Sequence, residues 1–280
     1  MKRILFPYIL FISFLFAQKD FVGDVFENGS VNFTDRTIQA IGIGFIPENV
    51  INAGQARRSA IRIAKQDALR QLIEIVNGVN VTSETTIEGA MFDDMIKTQV
   101  QGAIRGARQV KDPRYLSDTS VEVVFEVSMN NISHALLPMA EAPPVAVGAA
   151  AVPELSRTTP VSSTNKSGGI TGIIIDGKGI GLRPAMSPRI LDQNGSVIYG
   201  PGQYSRDYAA ANGVVGYARS LEQAQTDTRV QGNPLVLRGT STSGTTKADV
   251  IISNVDAGKI SRAESTAGVL KNCRVMFILN

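Results

Sequence analysis

Cysteine and histidine occur once each in the 280 residues, as Cys273 and His134. A single thiol excludes an intramolecular disulfide, and one thiol with one imidazole cannot build a thiolate zinc site. Far apart in sequence, the two also leave Ser-His-Asp and Cys-His catalysis without support. His134 reads as a surface or packing residue. Cys273 opens the apolar run 273–279, which reads as a buried last strand, so the thiol is expected to fill core space.

Excess charge is missing too. The chain carries 28 Lys plus Arg against 25 Asp plus Glu. Two of the basic residues, Lys2 and Arg3, lie in an amino-terminal leader. Without it the count falls to 26 against 25. Nucleic-acid binding needs clustered positive charge facing phosphates, and this balance gives it no support. Beyond residue 17 no apolar run approaches the roughly 18 residues that would suggest a membrane span.

What is present begins with that leader. Lys2 and Arg3 precede an almost wholly apolar run over residues 4–16, and Ala17 supplies a small residue before the polar Gln18, Lys19 and Asp20. Basic start, apolar stretch and small residue are the layout of a secretory signal, too short for an anchor. Cleavage after Ala17 is expected, with the mature chain starting at Gln18 and working outside the cytoplasm. Without disulfides, that chain must rely on hydrophobic cores.

Composition divides the remainder. Residues 139–168 are rich in Pro, Ala and Ser, which remove backbone donors and bury little. They read as an extended linker between a domain over residues 35–138 and another over 169–280. Residues 18–34 read as a loosely ordered lead-in. A linker of this length would let each domain bind separately.

In the first domain Ala56, Ala60, Ala64 and Ala68 form a smooth ridge on a helix over residues 53–76. Leu69, Leu72, Ile73 and Val76 extend its apolar side, and Arg57, Arg58, Arg62 and Lys65 occupy the other. Asn77-Gly78 stands where a left-handed cap would end it. Strand patterns run over 37–45, 79–85, 104–110 and 121–127, the last two pairing across a turn-rich stretch. Short helices are expected over 92–100 and 131–137. Asp93 and Asp94 suit a helix start, where they offset the dipole, and lack the alternating ligands of a calcium loop. The fold class is α+β, a helix packed on an antiparallel sheet.

The second domain reads as strand-rich α+β. Strands are expected over 172–176, 233–238, 250–253 and 275–279. Residues 189–192 and 196–199 flank the turn signal Gln193-Asn194-Gly195, and a short helix covers 220–228. Gly177, Gly179 and Gly181 follow a strand and suggest a phosphate loop. Leu182 stands where a third glycine belongs, Arg183-Pro184 replaces the helix start, and Lys178 precedes its glycine. These glycines therefore read as a tight turn.

Gly42-Ile43-Gly44, residues 64–72, the sequence Val76-Asn77-Gly78-Val79-Asn80-Val81, and residues 102–107 with the 121–127 strand resemble the LPP20-type lipoprotein domain. The resemblance covers residues 37–130. Members occur in bacterial envelopes and in flagellum-associated proteins of the basal disc and outer-membrane ring. The lipobox cysteine of many relatives is absent, so their lipid anchor cannot be attached. Residues 171–176 and 188–192 resemble second domains appended to such proteins. The resemblance implies an exported envelope protein, periplasmic or peripheral to the outer membrane, with a structural or assembly role and no cofactor or catalytic residue. Expected partners are envelope or flagellar proteins and further copies of the chain. Two alternatives stay open: a periplasmic ligand-binding module with its mouth at residues 177–182, and a hydrolase using carboxylates alone.

Overall fold

The structure, a computed structural model, describes residues 21–46, 52–140 and 169–280; the side chains of 138–140 are left aside. The leader and nearly all of the expected linker lie outside the described residues. No helix among those described is long and apolar enough to cross a membrane.

The amino-terminal sheet begins earlier than the sequence suggests. β1 (Gly23–Phe26) and β2 (Gly29–Asn32) form an antiparallel hairpin within the stretch expected to be a loose lead-in. They were illegible because each has four residues and β2 buries only one side, through Gly29 and Val31. β3 (Thr37–Gly44) pairs antiparallel with β2, and its far neighbour is β6 (Val121–Ser128). Two minor strands, β4 (Arg108–Gln109) and β5 (Arg114–Tyr115), also pair with β6. The expected strand over 104–110 thus shrinks to two residues, because α3 (Asp94–Arg105) continues past its expected end at residue 100.

Helix α1 (Ala53–Asn77) crosses one face of this sheet. The Asn52 side chain caps its start by accepting from Gln55 N–H at 2.9 Å. Ala60, Ala64, Ala68, Leu72 and Val76 are buried at four-residue intervals, so the alanine ridge faces the sheet. β3 meets it with Gly42 and Gly44. A methyl on Gly42 would lie 2.7 Å from the Ala68 methyl and overlap the Ala64 carbonyl; one on Gly44 would overlap the Ala60 carbonyl. Helix and strand backbones therefore lie in direct contact, a closeness only small residues permit.

The helix does not end in a left-handed cap. Gly78 has φ −78°, and the last turn tightens through Gly78 N–H to Ile75 O at 3.2 Å and Val79 N–H to Val76 O at 3.1 Å. Residues 79–85 then form an irregular loop with one isolated bridge, Asn80 to Thr86, in place of the expected strand. Val79 and Val81 do point inward, as their alternation implies. The short α2 (Ile87–Ala90) follows, and α4 (Met129–Ala140) closes the unit, running two residues into the expected linker.

The carboxy-terminal unit contains two four-stranded sheets. The first, β7 (Ile173–Asp176), β10 (Gly216–Ala218), β11 (Leu235–Arg238) and β14 (Val275–Ile278), is wholly parallel in the order β10-β14-β7-β11. Its central strands β7 and β14 are buried on both faces and read as unbroken apolar runs such as Ile173-Ile174-Ile175. The second runs β12-β13-β8-β9, from β8 (Ile190–Leu191), β9 (Val197–Tyr199), β12 (Ser241–Ser243) and β13 (Asp249–Ile251). The expected hairpin around Gly195 is there, joining β8 to β9. Helices α5 (Arg206–Asn212), α6 (Leu221–Thr226) and α7 (Asn254–Ala267) pack around them. α7 has no counterpart in the sequence reading. Its buried stripe is only Ala257, Ile260 and Ala263, although Ser253 and Asp256 give a capping pair at 3.1 Å. Cys273 is buried but lies in the turn before β14, at φ 50°, not in the strand.

Ala64→Leu and Gly42→Ala each force mass into the helix–sheet contact and are expected to cost about 1–3 kcal/mol. Arg62→Ala, on the solvent side, should stay within about 0.5 kcal/mol. Urea midpoints of the three variants check this; equal shifts for Ala64→Leu and Arg62→Ala would reverse the assigned face.

Candidate functional site

The irregular segment after α1 is where the two units meet. Asn80 and Val81 offer carbonyls to the N–H groups of Met186 and Ser187 at 2.9 and 2.7 Å, and Ser83 O accepts from Thr246 N–H at 2.9 Å. These backbone bonds satisfy groups that a strand of the first sheet would otherwise have paired. The side chains beneath them are charged. Asp249, fully buried on β13, accepts from Ser83 Oγ at 2.6 Å, Arg189 N–H at 2.8 Å and Arg189 Nε at 2.7 Å. Arg189 Nη2 also donates to Ser83 Oγ at 3.0 Å. The carboxylate's charge is thus met by one guanidinium and two further donors, as a buried ion requires. Ser83 and Asp249 are closed to solvent, so this cluster holds the joint and cannot reach a substrate. Gly244, at φ 81°, lies where any side chain would strike Ser83.

A second seam lies at the β2–β3 turn. Thr34 Oγ1 donates to Tyr217 O at 3.2 Å, and Phe33 meets the Tyr217 ring edge-on at 5.6 Å. Tyr217 Oη is locked to Ala185, and burial pushes its phenol well above the ordinary range. Arg36, at φ 56°, donates through Nη2 to Ser133 Oγ at 3.0 Å. Burial, reinforced by the nearby Arg229 cation, lowers its guanidinium to about 10, so it stays charged near neutrality. Arg229 spans the carbonyls of Asn212, Gly213 and Cys273 and so closes the end of α5. The units therefore share contacts along two seams, against the expectation that a linker leaves each free to bind alone.

Between the seams opens a cleft of about 560 Å³. Asp24 and Phe26 of β1, Glu27 and Asn28 of the hairpin turn, Gln71, Glu74 and Ile75 of α1, and Arg183-Pro184 line it, with Val31, Phe33 and Val79 at its apolar floor. Three carboxylates face one arginine. A smaller, mostly apolar groove of about 510 Å³ runs between α1 and α3, lined by Leu69, Ile73, Met91 and Ile104 and rimmed by Lys97 and Arg105.

The residues singled out from sequence do not gather at either cavity. His134 is exposed on α4. Asp93 caps α3 through Met95 N–H at 2.8 Å and Ile96 N–H at 3.2 Å, with Asp94 in the first turn. Gly179 and Gly181 adopt positive φ in a turn that tucks Leu182 against Gly177, and no helix start follows to hold a phosphate. Burial pushes the Cys273 thiol up. Among the described residues no three of His, Cys, Asp and Glu converge as metal ligands would. Sequence reading missed Asp249, Arg189 and the cleft carboxylates. A lone acid inside the apolar run Ala248-Asp249-Val250-Ile251 was a usable signal for the first; the cleft residues come from three separate segments and gave none.

Residues 172–280 match a family model described as Treponema pallidum Tp0624, second domain. The match covers the second unit and less than half of the chain. No curated protein matches it.

Removing Arg189 leaves a buried carboxylate short of its cation, so Arg189→Ala should cost about 3 kcal/mol, at the low end for a buried pair because Arg189 keeps some solvent contact. Ser83→Ala should cost about 1–2 kcal/mol. Chemical denaturation reads both. The Cys273 thiol should be inert to a thiol reagent in the folded protein and react on unfolding.

Proposed function

We propose that this protein is an exported, non-catalytic component of the bacterial envelope that works by binding other proteins. A flagellar basal disc or outer-membrane ring is the machine to which the LPP20 resemblance points. The observation that carries the reading is the edge of the first sheet, which no strand covers among the described residues. β1 is its outermost strand, with Val25 at 73% and Phe26 at 49% exposure and neither proline nor lysine to blunt it. Phe33 N–H bonds Val22 O at 2.8 Å, so ladder alternation puts Val25 at a position whose N–H and C=O face away from β2. An edge of this kind is a template for a strand from another chain. The sequence supports export through its basic and apolar leader, and supports a non-catalytic role through its poverty in reactive side chains.

The test is a photo-crosslinking residue placed at Val25, and at Arg62 as control, in cells producing the protein. Discrete adducts at Val25 that are absent at Arg62 are expected. No adduct at Val25, with the protein exported and folded, would overturn the assembly reading.

A further inference from the structure

The edge strand β1 and the cleft of about 560 Å³ share residues, and this sets the chemistry of the strand that fits. Asp24 and Phe26, adjacent alternate residues of β1, point to the α1 side of the sheet and form one wall of the cleft. In a strand added along β1, the residue paired with Val25 would point to the opposite face. The residues on either side of it would stand beside Asp24 and Phe26 and enter the cleft.

That cavity is acidic at its rim and apolar at its floor. Asp24, Glu27 and Glu74 contribute three carboxylates against the single Arg183. Among the described residues Glu74 pairs only with the exposed Arg70, at 3.3 Å, and Asp24 and Glu27 form no ion pair. Val31, Phe33 and Ile75 offer a surface on which the methylene stem of a long cationic side chain can lie while its head meets the rim. Its volume of about 560 Å³ holds two such side chains.

We propose that the partner is an extended peptide segment bearing Lys or Arg at alternate positions, added to β1 so that these side chains fill the cleft between the hairpin, the end of α1 and Arg183-Pro184. Main-chain bonds along β1 supply attachment, and the acidic rim selects the sequence. This rests on the edge reading above and adds the partner's chemistry.

Fluorescence anisotropy with the mature chain and two labelled peptides tests it. Val-Thr-Lys-Thr-Lys-Thr-Val presents two lysines on one face, and Val-Thr-Glu-Thr-Glu-Thr-Val presents two glutamates. The lysine peptide should bind about tenfold more tightly, with a difference that shrinks at high salt. The double variant Glu27→Lys/Glu74→Lys, at exposed positions, should reverse the preference, and Val25→Pro should abolish binding of both peptides. Equal affinities, no binding of either peptide, a preference that survives charge reversal, or lysine-peptide binding to folded Val25→Pro would each overturn the proposal. Should Val25→Pro fail to fold, the charge-reversal arm decides alone. Crosslinks at Val25 in cells that persist unchanged in Glu27→Lys/Glu74→Lys would refute the cleft chemistry and leave the edge reading standing.

Discussion

Gly42 and Gly44 on β3 lie against Ala60, Ala64 and Ala68 on α1, and much of the molecule is positioned by that contact. With no side chain on the strand and only methyls on the helix, the two backbones touch. Such contact leaves α1 little freedom to slide or roll, since Gly42 lies against the Ala64 carbonyl and Ala68, and Gly44 against the Ala60 carbonyl and the Ala64 nitrogen. The carboxy-terminal end of α1 is thereby fixed relative to the β1–β2 hairpin. Two consequences follow. Gln71, Glu74 and Ile75 stand opposite Asp24 and Phe26 and make the cleft, and the chain leaving Asn77 is directed toward the second unit.

That departing segment spends its polar groups on its neighbour. Asn80, Val81 and Ser83 bond backbone groups of Met186, Ser187 and Thr246, while Ser83 also enters the buried cluster with Asp249 and Arg189. A buried carboxylate is costly unless its charge is met, and here one of its donors comes from the other unit. The geometry of the joint is thus specified by polar groups, while its apolar contacts, such as Phe33 against Tyr217, exclude water around them. The linker suggested independent domains. The structure instead gives two units whose facing loops complete each other's hydrogen bonding.

Periodicity carried the long elements. The burial of α1 at Ala60, Ala64, Ala68, Leu72 and Val76 and the strands β3, β6, β7 and β14 were all readable from residue spacing, because each buries a broad stripe or a whole strand; that β3, and not residues 104–110, is the long partner of β6 was not. The α+β class followed from them. Elements that bury little were unreadable: the β1–β2 hairpin buries one side of β2, and α7 buries two alanines and an isoleucine. Residues 79–85 misled for a different reason. Their alternation reports correctly which side chains point inward, but the carbonyls of Asn80, Val81 and Ser83 find their partners at Met186, Ser187 and Thr246 in the other unit, and local sequence holds no trace of them. The cleft was unreadable on the same ground, since its walls come from β1, α1 and Arg183-Pro184.

If the joint between the units is as integral as these contacts make it, the chain should unfold as one body. Differential scanning calorimetry of the mature protein tests this directly. The account predicts a single transition whose calorimetric and van't Hoff enthalpies agree, as a cooperative unit requires. Two resolved transitions, or a calorimetric enthalpy about twice the van't Hoff value, would contradict it and return the two units to independent domains on a tether.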